Sequence, residues 1–191
     1  MILLSPRPGP SMDRTLERLC GLQPDYVDHG ATLGEHSPPG FEHDRYERDL
    51  GHGAEVFERA KHGLSSWRAH DVAGIHVFLV DAEVEVGGTV VVALGVGIAI
   101  AAPCRIVAVI DKPRRWGFAY GSLPGHPEQG EEAFIVSWLD NDVVRFGIHA
   151  FSRPSDRLVR WASPLSRRIQ IRATQGYLDS LQRYVDSGAS A

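Results

Sequence analysis

The stretches Trp116-Gly-Phe-Ala-Tyr-Gly-Ser122, Glu132-Ala-Phe-Ile-Val-Ser-Trp138 and Val144-Arg-Phe-Gly-Ile-His-Ala-Phe-Ser152 decide the fold. Each alternates with a period of two, the signature of a strand with one buried face. Asp140-Asn141-Asp142 reads as a three-residue hairpin loop, which sets Trp138 against Val144, Val136 against Phe146, Phe134 against Ile148 and Glu132 against Ala150. Closing the preceding hairpin through Pro124 to Gly130 sets Trp116, Phe118, Tyr120 and Ser122 against Trp138, Val136, Phe134 and Glu132. A one-residue slip would turn every side chain over, yet the same residues share a face in both pairings. That face is aromatic at one end and polar toward the long loop, where Tyr120, Ser122, Glu132 and Ser152 gather as the mouth of a pocket would.

Outward from these strands, the period of two holds from Ile75 to Pro154, with turn signals at Gly87-Gly88, Gly95 to Gly97 and Asp111 to Arg114. Connections this short join antiparallel neighbours. Thr89 to Ala102 is the most apolar stretch, shorter than the ~20 residues of a membrane helix and interrupted by Gly95 and Gly97. It reads as two buried strands, and no membrane insertion is expected. A helix over about Gly53 to His70 carries the stripe Val56, Phe57, Ala60, Leu64 and Trp67. After a short turn capped by Ser155 or Asp156, Ser163-Pro164 starts a helix running to about Ser187. Its stripe is Leu165, Ile169, Ala173, Tyr177, Leu181 and Tyr184 or Val185.

Residues 1–10 read as disordered, Ser11 as the cap of a short helix bearing Leu16, Leu19 and Cys20, and residues 21–46 as an irregular arm. The parts predict an α+β fold: a curved antiparallel sheet of about six or seven strands, a partly closed barrel, wrapped on a long C-terminal helix, with one or two N-terminal helices. The division expected is an arm over 1–46 and one helix-grip-like domain over 47–191.

The 191 residues are 43% hydrophobic with a formal net charge of -4, which fits a globular chain and supplies no broad cationic surface for nucleic acid. Arg153, Arg157, Arg160, Arg167 and Arg168 read as a solvated helix face. Cys20 and Cys104 form no disulfide or zinc pattern, and His126, Glu128, Glu131 and His149 lack metal-site spacing, so no metal is expected. Gly95-Val96-Gly97 has neither the third glycine nor the setting of a dinucleotide loop, there is no Gly-x-Ser-x-Gly elbow, and no cofactor is expected. Met1 to Pro10 lacks the charged start and apolar length of a signal peptide, which points to the cytoplasm. A homodimer is left open.

Four segments carry a resemblance: Gly53-Ala-Glu-Val-Phe-Glu-Arg-Ala-Lys61, Ala102-Pro-Cys-Arg-Ile-Val107, Gly117-Phe-Ala-Tyr-Gly-Ser-Leu-Pro-Gly-His-Pro-Glu-Gln-Gly-Glu-Glu-Ala-Phe134 and Ala150-Phe-Ser-Arg-Pro154. Over roughly Tyr46 to Val185 the chain resembles the uncharacterised family of domain of unknown function 1990, with bacterial and plant members, which brings no settled activity. Ser122 departs from the Thr of that pattern but keeps a hydroxyl, and the arm before Tyr46 lies outside the resemblance. In architecture the chain is similar to the polyketide cyclase and lipid-transfer superfamily, whose one scaffold serves enzymes and carriers alike, so the similarity does not choose among them.

The loop from Tyr120 to Glu132 concentrates the candidate chemistry. Glu132 on the aromatic face is the candidate general acid or base, because desolvation raises a carboxyl pKa toward neutrality; the structural alternative is a solvated strand end. Tyr120, diagonal to Glu132, would polarise a substrate oxygen or simply sit with its ring in the core. His126 at the loop apex would shuttle a proton near neutral pH or stay idle in solvent. Trp116, Phe118, Ser122, Phe134, Trp138, Phe146 and Ser152 would line the binding site, with Arg105 pointing inward or outward depending on the Asp111 to Arg114 turn. Glu131 and His149, on the opposite face, read as a structural ion pair, and Arg153 as a brace for the strand-to-helix corner.

The function expected is an enzyme that binds an apolar polyketide-like or terpenoid-like hydroxy-ketone and performs cofactor-free cyclisation or dehydration, for example acetal or spiroacetal formation in secondary metabolism. A carrier or sensor of a hydrophobic small molecule, and a cavity-free module with a filled aromatic core, are the alternatives.

Overall fold

In a computed structural model, residues 2–4, 10–34, 38–79, 83–95, 99–155 and 163–188 are described. The strands are β1 (Ile2–Leu4), β2 (Glu42–His52), β3 (Ile75–Leu79), β4 (Thr89–Leu94), β5 (Ala99–Lys112), β6 (Arg115–Ser122), β7 (Glu128–Trp138) and β8 (Val143–Pro154). The helices are α1 (Pro10–Cys20), α2 (Ala54–Ser65) and α3 (Ser163–Asp186). An open antiparallel sheet runs β2-β8-β7-β6-β5-β4-β3, and β1 adds to β5 beside this path. The α+β helix-grip is therefore the fold, with the sheet's inner face packed on α2 and α3.

The β7–β8 hairpin has the expected register, with Glu132, Phe134, Val136 and Trp138 opposite Ala150, Ile148, Phe146 and Val144. The β6–β7 register differs by two residues: Trp116, Phe118 and Tyr120 face Val136, Phe134 and Glu132. A two-residue shift keeps every side chain on its face, so facial alternation cannot detect it. The loop decides instead. The ladder with β7 ends at Gly121, and the Ser122 Oγ accepts the Gly130 N–H at 3.0 Å, so the hairpin closes earlier than Pro124 to Gly130 alone implies.

Three further expectations are corrected. Ile2–Leu4 forms a strand on Leu4↔Ala99 to Ile2↔Ala101, where disorder was expected. The expected irregular arm gives way at Glu42 to a long edge strand along β8; its mostly charged residues, with few apolar positions, hide the period of two, as suits an exposed edge. The helix expected to reach His70 ends at Ser65, because Trp67 takes a left-handed conformation (φ 61) before a 3-10 turn at Arg68–His70. The expected turn around residue 156, with Arg157 and Arg160, lies outside the described residues, as does the side chain of Arg167.

Packing divides the inner face in two. At one end Trp116, Phe118, Phe134 and Phe146 are buried against Phe57, Leu64 and Trp67 from α2 and its following turn, and against Tyr177, Leu181 and Val185 of α3. Truncating one of these phenylalanines would cost about 3–5 kcal/mol. On the outer face, Leu16 and Leu19 of α1 cover Val91 and Ala101, while Leu33 covers Ala119, Ala133 and Ile135.

Candidate functional site

At the other end of the inner face the packing stops and a cavity of about 210 Å³ opens, mostly apolar and roofed by α3. Val92 and Leu94 of β4, Ala102 and Cys104 of β5, and Ala150 of β8 supply its apolar walls. Tyr120, Ser122, Glu132 and Ser152 contribute polar groups from the sheet; Gln170, Thr174 and Tyr177 do so from α3. His126 and Pro127 of the β6–β7 loop, with Glu128 at the start of β7, line its mouth.

The chemistry centres on one cross-strand pair. Tyr120 and Glu132 are directly opposite, and the Tyr120 hydroxyl donates to Glu132 Oε2 at 2.8 Å. Burial raises the Glu132 pKa to about 7 against the Tyr120 hydrogen bond, which opposes the rise, and the Glu128 and Asp44 carboxylates push in the same direction as burial. Both protonation states of Glu132 are thus populated near neutrality. Burial also pushes the Tyr120 and Tyr177 phenols and the Cys104 thiol well up, so all three stay protonated. Tyr177 of α3 lines the same cavity as Tyr120 and Glu132.

His126 lies at the mouth in a different state from the one expected. Burial holds its pKa down to about 4, and its Nδ1 accepts the Glu128 N–H at 2.9 Å, which requires a neutral ring. At neutral pH it offers a fixed Nε2–H donor rather than an exchangeable proton.

The remaining residues of the sequence reading are divided by the geometry. Ser122 and Ser152 line the cavity with Tyr120, Glu132 and His126, whereas Trp116, Phe118, Phe134 and Phe146 are buried in the adjoining core. Trp138 lies far along the strand, stacked on Phe57 with its ring N–H donated to Asp142 at 2.9 Å. Arg105 points outward: its guanidinium bonds the carbonyls of Leu19, Cys20, Leu22 and Gly87, because Arg105 faces Gly121 across the ladder and its neighbours Cys104 and Ile106 take the inner positions. Arg153 braces Gln129 at 2.7 Å and lies over the Phe41 ring.

Glu131 and His149 do not pair. The Glu131 carboxylate is buried on the outer face and accepts from the Tyr26 hydroxyl (2.7 Å), the Gly30 N–H (2.7 Å), the Thr32 N–H (2.9 Å) and the Thr32 hydroxyl. The arm reaches it because Gly121 leaves room: a Cβ there would overlap the Tyr26 hydroxyl. Ser122 donates to Asp25 at 2.6 Å, and the Gln129 amide donates to the Asp25 carbonyl, so the arm also holds both ends of the mouth loop. Sequence reasoning missed Tyr26, Thr32, Cys104, Gln170 and Thr174 as parts of this region. Only Tyr177 had a signal, its place on the α3 stripe.

Among the described residues no cluster of His, Cys, Asp and Glu could hold a metal ion, and no helix is long and apolar enough to cross a membrane.

A sheet gripping its C-terminal helix, with a mostly apolar cavity between them, defines a helix-grip protein. Within that class, the chain belongs to the family described as "Domain of unknown function (DUF1990)", whose model matches residues 25–180. It is 28% identical over 200 residues to a UPF0548 protein of Deinococcus radiodurans, covering 96% of this chain and 98% of that one. A UPF0548 protein of Dictyostelium discoideum is 29% identical over 143 residues, 68% of this chain and 66% of its own length. The crystal structure of a hypothetical protein from Helicobacter pylori superposes with a TM-score of 0.57 at 14% identity, over 77% of this chain and 90% of the other, a likeness of fold alone.

Proposed function

We propose that the protein is a cofactor-independent enzyme that binds a small neutral hydroxy-ketone in the cavity and moves protons on it through Glu132 and Tyr120. One observation carries the reading: a carboxyl with a pKa of about 7 is bonded at 2.8 Å to a buried phenol inside an apolar cavity. A cavity of roughly 150 Å³ holds a benzene ring, so about 210 Å³ suits a substituted monocycle more than an extended chain.

For ring closure, ionised Glu132 accepts the proton of the ligand hydroxyl as its oxygen adds to the carbonyl carbon. The carbonyl oxygen takes a proton from the enzyme. Protonated Glu132 supplies it by donating to the Tyr120 oxygen, whose own O–H then donates to the ligand, so the short Tyr120–Glu132 contact works in both directions. His126 Nε2–H at the mouth and Thr174 on the roof orient the ligand's outer polar groups. Dehydration of the same class of ligand uses the same proton transfers in another order.

The carrier reading rests on a specific observation too: the Tyr120 hydroxyl is already donated to Glu132, and the cavity wall is mainly apolar. Thermal-shift titration with cyclic and linear hydroxy-ketones, followed by mass spectrometry of each hit, separates the two. Conversion by wild type and none by Glu132→Gln supports the enzyme; stabilisation of both without product supports the carrier. A ligand at a hundredfold excess over its Kd stabilises by about 2.7 kcal/mol. No shift with any compound rejects the cavity as a binding site.

A further inference from the structure

Trp67 and His70 flank the 3-10 turn after α2, and both carry buried polar atoms that no protein group satisfies: Trp67 Nε1, His70 Nδ1 and His70 Nε2. Buried ring nitrogens are bonded in the great majority of native structures. His70 is packed among Tyr177 (ring centroids 4.5 Å), Phe134 (4.9 Å) and Trp67 (5.0 Å). Aromatic faces can receive an imidazole N–H, but they offer nothing to the lone pair of its other nitrogen.

The backbone is unusual at the same place. Trp67 holds φ 61 and ψ 16, a left-handed conformation that a bulky side chain rarely adopts, and such strain collects at ligand clamps and active sites. The turn also borders open space. A groove of about 450 Å³ runs between Trp67, His70 and Asp71 and the edge strand β3, where Ile75, Val77 and Leu79 line it together with His76 and Phe78. That volume is within the range of small-molecule sites. The same two rings pack beside Tyr120 and Tyr177, which line the cavity.

From these features we infer that the groove beside the Trp67–His70 turn is a second ligand site, which takes a neutral apolar molecule through a ketone or alcohol oxygen. A ketone oxygen accepts both the Trp67 indole N–H and the His70 N–H, an alcohol accepts the Trp67 indole N–H and donates to the His70 lone pair, and the hydrocarbon body lies along Ile75, Val77 and Leu79. Both nitrogens are shielded from solvent in the ligand-free protein, so the rings shift slightly to present them. Burial holds the His70 pKa down to about 3. The imidazole is therefore neutral, and the site selects a neutral oxygen over a carboxylate.

The test uses the full chain labelled with nitrogen-15 and cyclohexanone as probe, with methylenecyclohexane as the isostere that lacks the oxygen. The sequence contains four tryptophans, so the indole N–H region is simple, and Trp67→Phe assigns its peak. The expected result is a saturable shift of the Trp67 indole signal with cyclohexanone, and intermolecular contacts to the Ile75 and Leu79 methyls. Affinity should weaken about tenfold in Trp67→Phe, the loss of one hydrogen bond. Glu132→Gln should leave the shift intact, so this site stands or falls separately from the cavity. The inference is overturned if the signal does not move, if methylenecyclohexane moves it equally, or if probe contacts appear only to Val92 and Ala102 of the cavity. A bridging water that saturating probe fails to displace overturns it as well. The wild-type spectra decide the matter even if Trp67→Phe does not fold.

Discussion

Glu131 and Glu132 are adjacent on β7 yet meet opposite environments: the first accepts four hydrogen bonds from the arm on the outer face, the second one from Tyr120 on the inner face. The alternation of a strand is enough to give two neighbouring carboxyls separate tasks. Glu131 holds the arm to the sheet, and Glu132 faces the cavity.

Replacing Glu131 by Ala should therefore release the arm. Four donors lose their acceptor in a buried place, a change expected to cost on the order of 3–5 kcal/mol. Limited proteolysis should show cleavage between residues 24 and 34, with faster amide exchange at Gly30 and Thr32. Resistance equal to wild type would mean that the arm is held by something else.

Glu132 should make stability fall with rising pH. Its folded pKa of about 7 lies above the ordinary value of 4.5, so the folded state binds the extra proton between these limits. Stability from this group is full below about 4.5 and is lost as pH rises through 7, by roughly 3 kcal/mol. His70 acts in the opposite sense: its pKa is lowered from 6.5 to about 3, so stability from it is present above 6.5 and is lost as pH falls. The two partly cancel in wild type. Urea denaturation of wild type and Glu132→Gln at several pH values should isolate the first contribution as a difference that shrinks from pH 7 to pH 5.

Tyr120→Phe should raise the Glu132 pKa further, because the lost hydrogen bond is the influence that holds it down. A carbon-13 titration of the glutamate carboxyls should show one midpoint moving above about 7. A downward movement would mean that water or Tyr177 replaces the lost donor more than fully.

Gly130→Ala should destabilise strongly, by about 3 kcal/mol or more. Gly130 has φ 153, and a Cβ there would run into the Phe151 carbonyl of β8. The variant should also perturb the mouth, since the Gly130 N–H is what Ser122 holds. Thermal unfolding checks the first effect and His126 chemical shifts the second.

The fold was largely legible because its signals are local. Trp138, Val136 and Phe134 alternate against Val144, Phe146 and Ile148 across a loop of known length, and this alone sets the β7–β8 register. The stripe from Phe57 to Leu64 likewise declares a helix. What stayed hidden depends on distant partners. Tyr26 and Thr32 show nothing locally of their bonds to Glu131, a hundred or so residues away. The aromatic end of the sheet looks like a pocket until α2 and the turn after it fill it with Phe57, Leu64 and Trp67, and the cavity lies farther along the inner face. The neutral state of His126 follows from the Glu128 N–H two residues on, which only the folded loop reveals.

The stitching of the mouth loop also determines its traffic. Ser122 is tied to Asp25 and Gly130, and Gln129 to Asp25 and Arg153, so the sheet-side lip is a fixed threshold. Across the opening, Glu128 meets Gln170 of α3 through a longer 3.3 Å bond. For the ligand proposed above this contact lies beside the way in, so variants at Gln170 should change how fast it comes and goes more than how tightly it is held.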